Sequence, residues 1–188
     1  MGELVVWNVM TLDGRFEGPE KWDLAFHEHI WGEDLRQLSL GFGESLGLLV
    51  FGRVTYEGMA AHWSSDEDDP EIAAYMNGAP KLVASRTLTS AAWENTEVTA
   101  DIVGELRRRK RELDRPIYVF GSAALTESLL AAGLVDELLV GIAPALMGEG
   151  TPLFSSAGGL RPLTLRECRA LDSGGVLLRY GVPWAERE

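Results

Sequence analysis

Two stretches of the chain share one local design, a continuous apolar run that breaks at a glycine and turns directly into a helix. Leu46–Phe51 is followed by Gly52 and a helical pattern from Thr55 to Trp63, and Ile117–Phe120 by Gly121 and a helical pattern from Ala123 to Ala132, which ends at Gly133. A strand apolar on both faces needs helices over both, the setting of a parallel sheet. Further apolar runs at Leu4–Met10, Lys81–Ser85 and Leu138–Ala145 extend the series, and a late pair near Leu163–Leu171 and Val176–Val182 reads as antiparallel. Between them the spacing predicts a helix from Trp22 to about Leu40, another opened by Asp69-Pro70-Glu71 and running to about Met76, and a third over Ile102–Leu113 opened by Asp101. The expected class is α/β with a central, mostly parallel sheet. No repeat or linker-like stretch divides the chain, so residues 1–188 read as one domain.

Composition narrows the function. With 46% hydrophobic and 24% charged residues the chain has the make-up of a globular protein. Seventeen basic against 29 acidic residues leave a net charge of −12, which disfavours nucleic acid and anionic membranes as partners. No apolar run reaches the roughly 20 residues of a membrane span. Cys168 is the single cysteine, and a reducing, cytoplasmic setting is expected. A small anionic ligand remains open, because screening over about 8 Å lets local arginines decide.

Three strand ends carry the chemistry such a ligand needs. In Phe51-Gly52-Arg53-Val54-Thr55-Tyr56-Glu57 the glycine admits a close approach, Arg53 supplies a fixed charge and Thr55 a hydroxyl, at a helix N-terminus whose amides face anions. In Ile117 to Leu125 the small residues after Gly121 leave amides open to a pyrophosphate. Ser85-Arg86-Thr87 sets a guanidinium between hydroxyls, a grip suited to the ribose phosphate that separates NADP from NAD. Taken singly, each fits an ordinary strand-to-helix turn with a solvated arginine or a Ser122 N-cap; three of one type favour a shared anion cradle.

Other motifs lack their context. Gly41 to Gly47 resembles a dinucleotide fingerprint but has the wrong spacing and precedes a strand, so it reads as a helix end. His27 and His29 face opposite sides of a helix, and no metal site is expected. Neither a Gly-x-Ser-x-Gly elbow nor a phosphate-loop Gly-Lys-Ser/Thr occurs. The basic run Arg107–Arg111 is read as a solvated helix face, and the acidic run Asp66–Asp69 as an exposed loop.

In order and spacing, Asn8 to Gly14, Phe51 to Glu57, Lys81 to Leu88, Ile117 to Leu125 and Gly133 to Leu138, running on to Pro144, Gly148, Gly150, Leu153 and Phe154, resemble the dihydrofolate reductase superfamily. The branch they resemble most is the reductase domain of the riboflavin-biosynthesis deaminase-reductase. The resemblance implies a three-layer dihydrofolate reductase-like fold, with antiparallel C-terminal strands and helices on both faces of the sheet. It implies NADPH as cofactor, a pterin-like or pyrimidine substrate, hydride transfer between them, and a homodimer joined through the late strands. Carried over by position, Gly52, Arg53, Val54 and Thr55 hold phosphates, Ser85, Arg86 and Thr87 surround the adenosine ribose phosphate, and Gly121, Ser122, Ala123, Ala124 and Leu125 follow the pyrophosphate. Asn8, Thr11, Asp13, Trp22 and Phe26 are the expected substrate contacts, with Asp13 and His27 as the candidate catalytic groups. Two departures stand out: Ser122 replaces the second glycine of a Gly-Gly turn, and His27 stands five residues after Trp22, where the folate enzymes have an acid. A non-catalytic NADP(H)-binding or sensing module with the same fold is the alternative.

Overall fold

The computed structural model describes residues 1–64, 69–154 and 159–183. Five parallel-sheet strands follow the expected runs: β1 (Leu4–Thr11), β3 (Leu48–Gly52), β4 (Lys81–Ala84), β6 (Ile117–Phe120) and β7 (Glu137–Ala143). Three short strands were not foreseen, β2 (Arg15–Glu17), β5 (Thr96–Thr99) and β8 (Thr151–Pro152). The sheet runs β5-β4-β3-β6-β1-β7 in parallel, and β10 (Val176–Gly181) and β9 (Thr164–Ala170) complete it as the expected antiparallel pair. A separate ribbon joins β2 to β8.

Helices α1 (Glu33–Ser45), α2 (Arg53–Trp63) and α3 (Pro70–Gly78) cover one face, where Phe26, Leu35, Phe42, Tyr56, Ile72 and Met76 pack on Val5, Val9, Leu49 and Phe51. Helices α4 (Ile102–Glu112) and α5 (Ala123–Ala131) cover the other, where Leu106, Leu125 and Leu129 meet Leu4, Val6, Leu48, Val50 and Val119. β3 contributes to both layers and is buried along its whole length, as its unbroken apolar run requires.

Local chemistry sets several boundaries. Asp69 accepts from the Ile72 amide and Asp101 from the Gly104 amide, each capping its helix as expected. Gly133 takes the left-handed conformation, φ 64°, after α5. The single helix expected from Trp22 is divided: Ala25–His29 is a 3-10 turn and α1 begins only at Glu33. Gly32 between them is fully extended, and α1's cap comes from Asp172, whose carboxylate accepts from the Glu33 amide across 139 residues of chain. The Arg107–Arg111 run is also corrected in part. Arg108 and Arg109 pair with Glu105, Glu112 and Glu97 at the surface, but Lys110 turns inward to the Leu134 carbonyl and the Asp136 carboxylate. Asp66 to Asp68 of the acidic run lie outside the described residues.

Among the described residues Lys81 is the most deeply buried charged side chain. Lys81, 1% exposed, donates to the carbonyls of Asn77, Ala79 and Glu94 at 2.9–3.1 Å and lies 4.4 Å from the centre of the Trp93 ring. Burial lowers its pKa to about 8. No helix among the described residues is long and apolar enough to cross a membrane.

Candidate functional site

All the parallel strands end along one edge of the sheet, and the foreseen anion-binding turns meet there. Gly52 is partnered with Ala84 in the β3–β4 ladder, so Arg53 and Ser85 leave adjacent strands side by side. On the other flank, a Cβ at Gly52 would come within 2.6 Å of the Ser122 hydroxyl, and one at Gly121 within 2.8 Å of the Thr55 methyl. Both glycines are therefore demanded by the approach of α2's first turn to α5's. Gly121 and Ser122 both have positive φ, 65° and 59°, and no cis peptide occurs among the described residues. Ser122 caps α5 through the Leu125 amide, while α2 starts at Gly52 with no side-chain cap, which leaves the Arg53, Val54 and Thr55 amides directed at the edge.

The two arginines are in different states. Arg53 pairs with Glu57 one turn on, at 3.0 Å, whereas Arg86 is exposed and makes no ion pair with the described residues. The Ser85 hydroxyl accepts from the amides of Thr87 and Leu88, so it shapes the turn that carries Arg86. Thr87 is exposed, and Ala123 and Ala124 open α5 behind Ser122. Sequence reasoning missed Glu57, although its i,i+4 spacing from Arg53 was visible. It also missed Phe16, whose ring edge lies 3.4 Å from the Cβ position of Gly121 and roofs this turn.

The expected substrate contacts divide between the faces of the sheet. Asn8 is 3% exposed on the α5 side, its amide nitrogen 3.5 Å from the Thr126 hydroxyl and its carbonyl oxygen without a partner. Phe26 packs on the opposite face, and Trp22 lies there too, its ring seated on Gly58 of α2, where a Cβ would overlap it. Trp22 is held in the left-handed conformation, φ 65°, and donates its amide to the Glu17 carboxylate. It thereby spans from the 18–24 segment to α2.

Thr11, fully buried at the end of β1, donates to Asp13 at 2.5 Å and accepts from the Arg15 amide. Asp13 also accepts from the amides of Met147 and Gly148. These donors, the Thr11 hydroxyl first, hold its carboxyl at a pKa of about 2. Arg15 reaches across to the carbonyls of Gly148 and Gly150. Asp13 and Arg15 thus tie the β1–β2 turn to residues 147–150. His27 is largely buried against Phe26, which lowers its pKa to about 4, and its Nε2 has no partner. At neutral pH one candidate acid is ionised and the other carries a neutral ring.

Two clefts flank this edge or lie away from it. One of about 670 Å³ runs between α2 and residues 88–94, lined by Tyr56, Glu57, Leu88 and Trp93. The other, of about 490 Å³, opens at the opposite edge beside Glu3, Asp136 and Arg166. Neither contains Arg53, Arg86 or Gly121, which form a strip of strand ends beside the larger cleft.

A mostly parallel sheet between two helical layers, closed by an antiparallel pair and carrying apposed glycine turns at its strand ends, defines a protein of the dihydrofolate reductase-like superfamily. The chain belongs to the RibD C-terminal domain family, a family of the reductase type, whose sequence model matches residues 3–177. It is 25% identical over 177 residues to YyaP of Bacillus subtilis (strain 168), covering 91% of this chain and 90% of that one. Its fold is shared by a putative riboflavin biosynthesis protein from Shewanella sp. PV-4, with TM-score 0.74 at 20% identity over 96% of this chain and 99% of that one. It is shared as well by dihydrofolate reductase from Enterococcus faecalis, a structure complexed with NADP(H), with TM-score 0.64 at 14% identity over 96% of each chain.

Proposed function

We propose that the protein is an NADPH-dependent reductase that transfers a hydride to a small, flat heterocycle of the pterin or pyrimidine kind. The observation that carries this reading is the apposition of Gly52 and Gly121, each leaving no room for a Cβ, at two helix N-termini flanked by Arg53 and Ser85. That cradle has the donor set of a diphosphate site, with Gly52, Arg53, Val54 and Thr55 on one side, Gly121 to Leu125 on the other, and Ser85, Arg86 and Thr87 at the end suited to a ribose phosphate. When bound, NADPH supplies the hydride.

The chain's own residues bind and orient. Trp22 and Phe26 wall the substrate ring and Thr11 and Asp13 fix the neighbouring turn, whereas Asn8 lies buried on the opposite face of the sheet, under α5. The substrate's nitrogen takes its proton from water or from His27 once a ligand has raised the pKa of that ring, because Asp13 is ionised and His27 neutral in the free protein. The active species is a homodimer in the cytoplasm, joined through the outer strand β9, whose Leu165 is 54% exposed; light scattering tests the dimer directly. Because neither acid carries a transferable proton, an NADP(H)-binding module without catalysis is the second reading. Titration with NADPH and NADH decides the first point: submillimolar binding of NADPH, at least tenfold tighter than NADH, is expected, and equal affinities would overturn it. Steady NADPH oxidation with a pterin, flavin precursor or quinone then removes the second reading.

A further inference from the structure

We infer that the cleft between α2 and residues 88–94 is a second ligand site, one that takes an aromatic amine and acts on the phosphate cradle through Glu57. Only the action on the cradle rests on the reductase reading above; the site itself does not. The cleft, of about 670 Å³, has the size of pockets that hold drug-sized molecules. Its walls are fixed before any ligand arrives. The Tyr56 hydroxyl, in the first turn of α2, accepts from the Trp93 amide at 3.0 Å, and the Trp93 indole donates to the Asn77 side chain at 2.7 Å. Asn77 in turn donates to the carbonyl of Trp63, the last residue of α2. Both ends of the helix are thereby laced to the far wall, with the Tyr56 and Trp93 rings 6.1 Å apart between centres. Walls held in this way lose little freedom when a ligand settles between them.

Charge and apolar surface together select the ligand. Ala60, Leu88 and Ala92 line the cleft beside the two rings, and the two ionised residues that line it are both carboxylates, Glu57 and Glu94. Lys81, 4.4 Å from the centre of the same indole, is 1% exposed and commits its ammonium to three backbone carbonyls. An ammonium on an aromatic body therefore meets carboxylates at its charged end and apolar side chains along its ring, whereas a carboxylate on the same body meets like charge. Glu57 serves both sites. The residue lines the cleft, and its carboxylate holds Arg53 of the cradle at 3.0 Å. An amine that draws Glu57 into the cleft releases Arg53 to a phosphate, and by reciprocity a phosphate that draws Arg53 away releases Glu57 to the amine.

Tryptamine, indole-3-acetamide and indole-3-acetate share one ring and carry a positive, a neutral and a negative end, and ethylamine carries the positive charge without the ring. Calorimetric titration of the intact protein is expected to give one tryptamine site, about tenfold or more tighter than for the acid or for ethylamine, with the amide between. Glu57→Gln and Glu94→Gln, both at exposed positions, are each expected to weaken tryptamine about threefold. Glu94→Gln is expected to leave NADP+ affinity unchanged. With NADP+ saturating, tryptamine is expected to bind the natural chain about threefold tighter, the range of one exposed ion pair, and Glu57→Gln to abolish that gain. No tryptamine binding, acid or ethylamine binding as tight as the amine, or an amine affinity unmoved by both glutamines would each overturn the site. A gain that is absent, or that survives Glu57→Gln, would overturn its link to the cradle. A protein that binds tryptamine but not NADP+ would instead overturn the reductase reading, and the link with it, and leave the site standing.

Discussion

Along the edge where the parallel strands finish, the stretch formed by β4, β3 and β6 and the stretch formed by β1 and β7 are built on different chemistry. The first is backbone-rich: two helix N-termini brought together by glycines, with Arg53 and Arg86 beside them. The second is side-chain-rich: a hydrogen-bonded knot of Thr11, Asp13 and Arg15 that pins two turns and leaves leucines outward. Amides and guanidinium groups suit a ligand whose charge never varies, and so can be reused across many reactions.

The sharpest way to break the contrast is to fill the backbone cradle. Gly121→Val places a branched side chain where even a Cβ is 2.8 Å from Thr55, at positive φ. It is expected to weaken NADPH at least 100-fold, about 2.7 kcal/mol, by isothermal titration, while leaving α1 and β7 intact by circular dichroism. Arg86→Ala comes next. With no ion-pair partner among the described residues to release, it is expected to lose about 1.5–3 kcal/mol of NADPH affinity and to abolish the preference over NADH. Arg53→Ala is expected to cost less, since Glu57 already shares that charge, and Glu57→Gln to tighten NADPH by about threefold, the range of one exposed ion pair.

Changes at the other end are expected to leave cofactor affinity alone and to act through pH. His27 has a folded pKa of about 4 against an ordinary 6.5, so the unfolded chain binds its proton first and stability falls as pH drops from 6.5 towards 4. His27→Gln is expected to flatten that slope, by several degrees of Tm at pH 5. Asp13 acts in the same direction at lower pH. Its pKa of about 2 against 3.8 adds stability above 3.8 that is lost as pH falls through 2, and Asp13→Asn is expected to remove the dependence and to lower Tm at pH 7, where that contribution is fully present. A thermal melt series from pH 7 to pH 2 reads both.

What the sequence made legible was local. Asp69, Asp101, Ser122 and Gly133 announce helix ends because a cap needs only its next few residues, and the glycine turns were visible because apolar runs stop at them. What escaped depends on distant chain. The break at Gly32 is secured by Asp172, the β2–β8 ribbon by residue pairs far apart in the chain, Arg15 with Pro152 and Glu17 with Thr151, and the burial of Lys110 by Asp136. β5, Thr96–Thr99, is a polar outer strand with no periodic signal of its own. The site divides along the same line: the cradle was written in contiguous motifs, whereas the placement of Asn8 and Phe26 on opposite faces follows from strand alternation through β1 and the turn at Trp22.

The sealed Lys81 gives the fold an internal clock. An amine with all three hydrogens committed to carbonyls and no path to solvent cannot meet an acylating reagent until α3 and the 88–94 segment part from β4. The rate at which that one lysine is labelled, against exposed Lys21 in the same sample, therefore counts openings of this layer in native protein, and a ligand that grips the strand ends should slow the count.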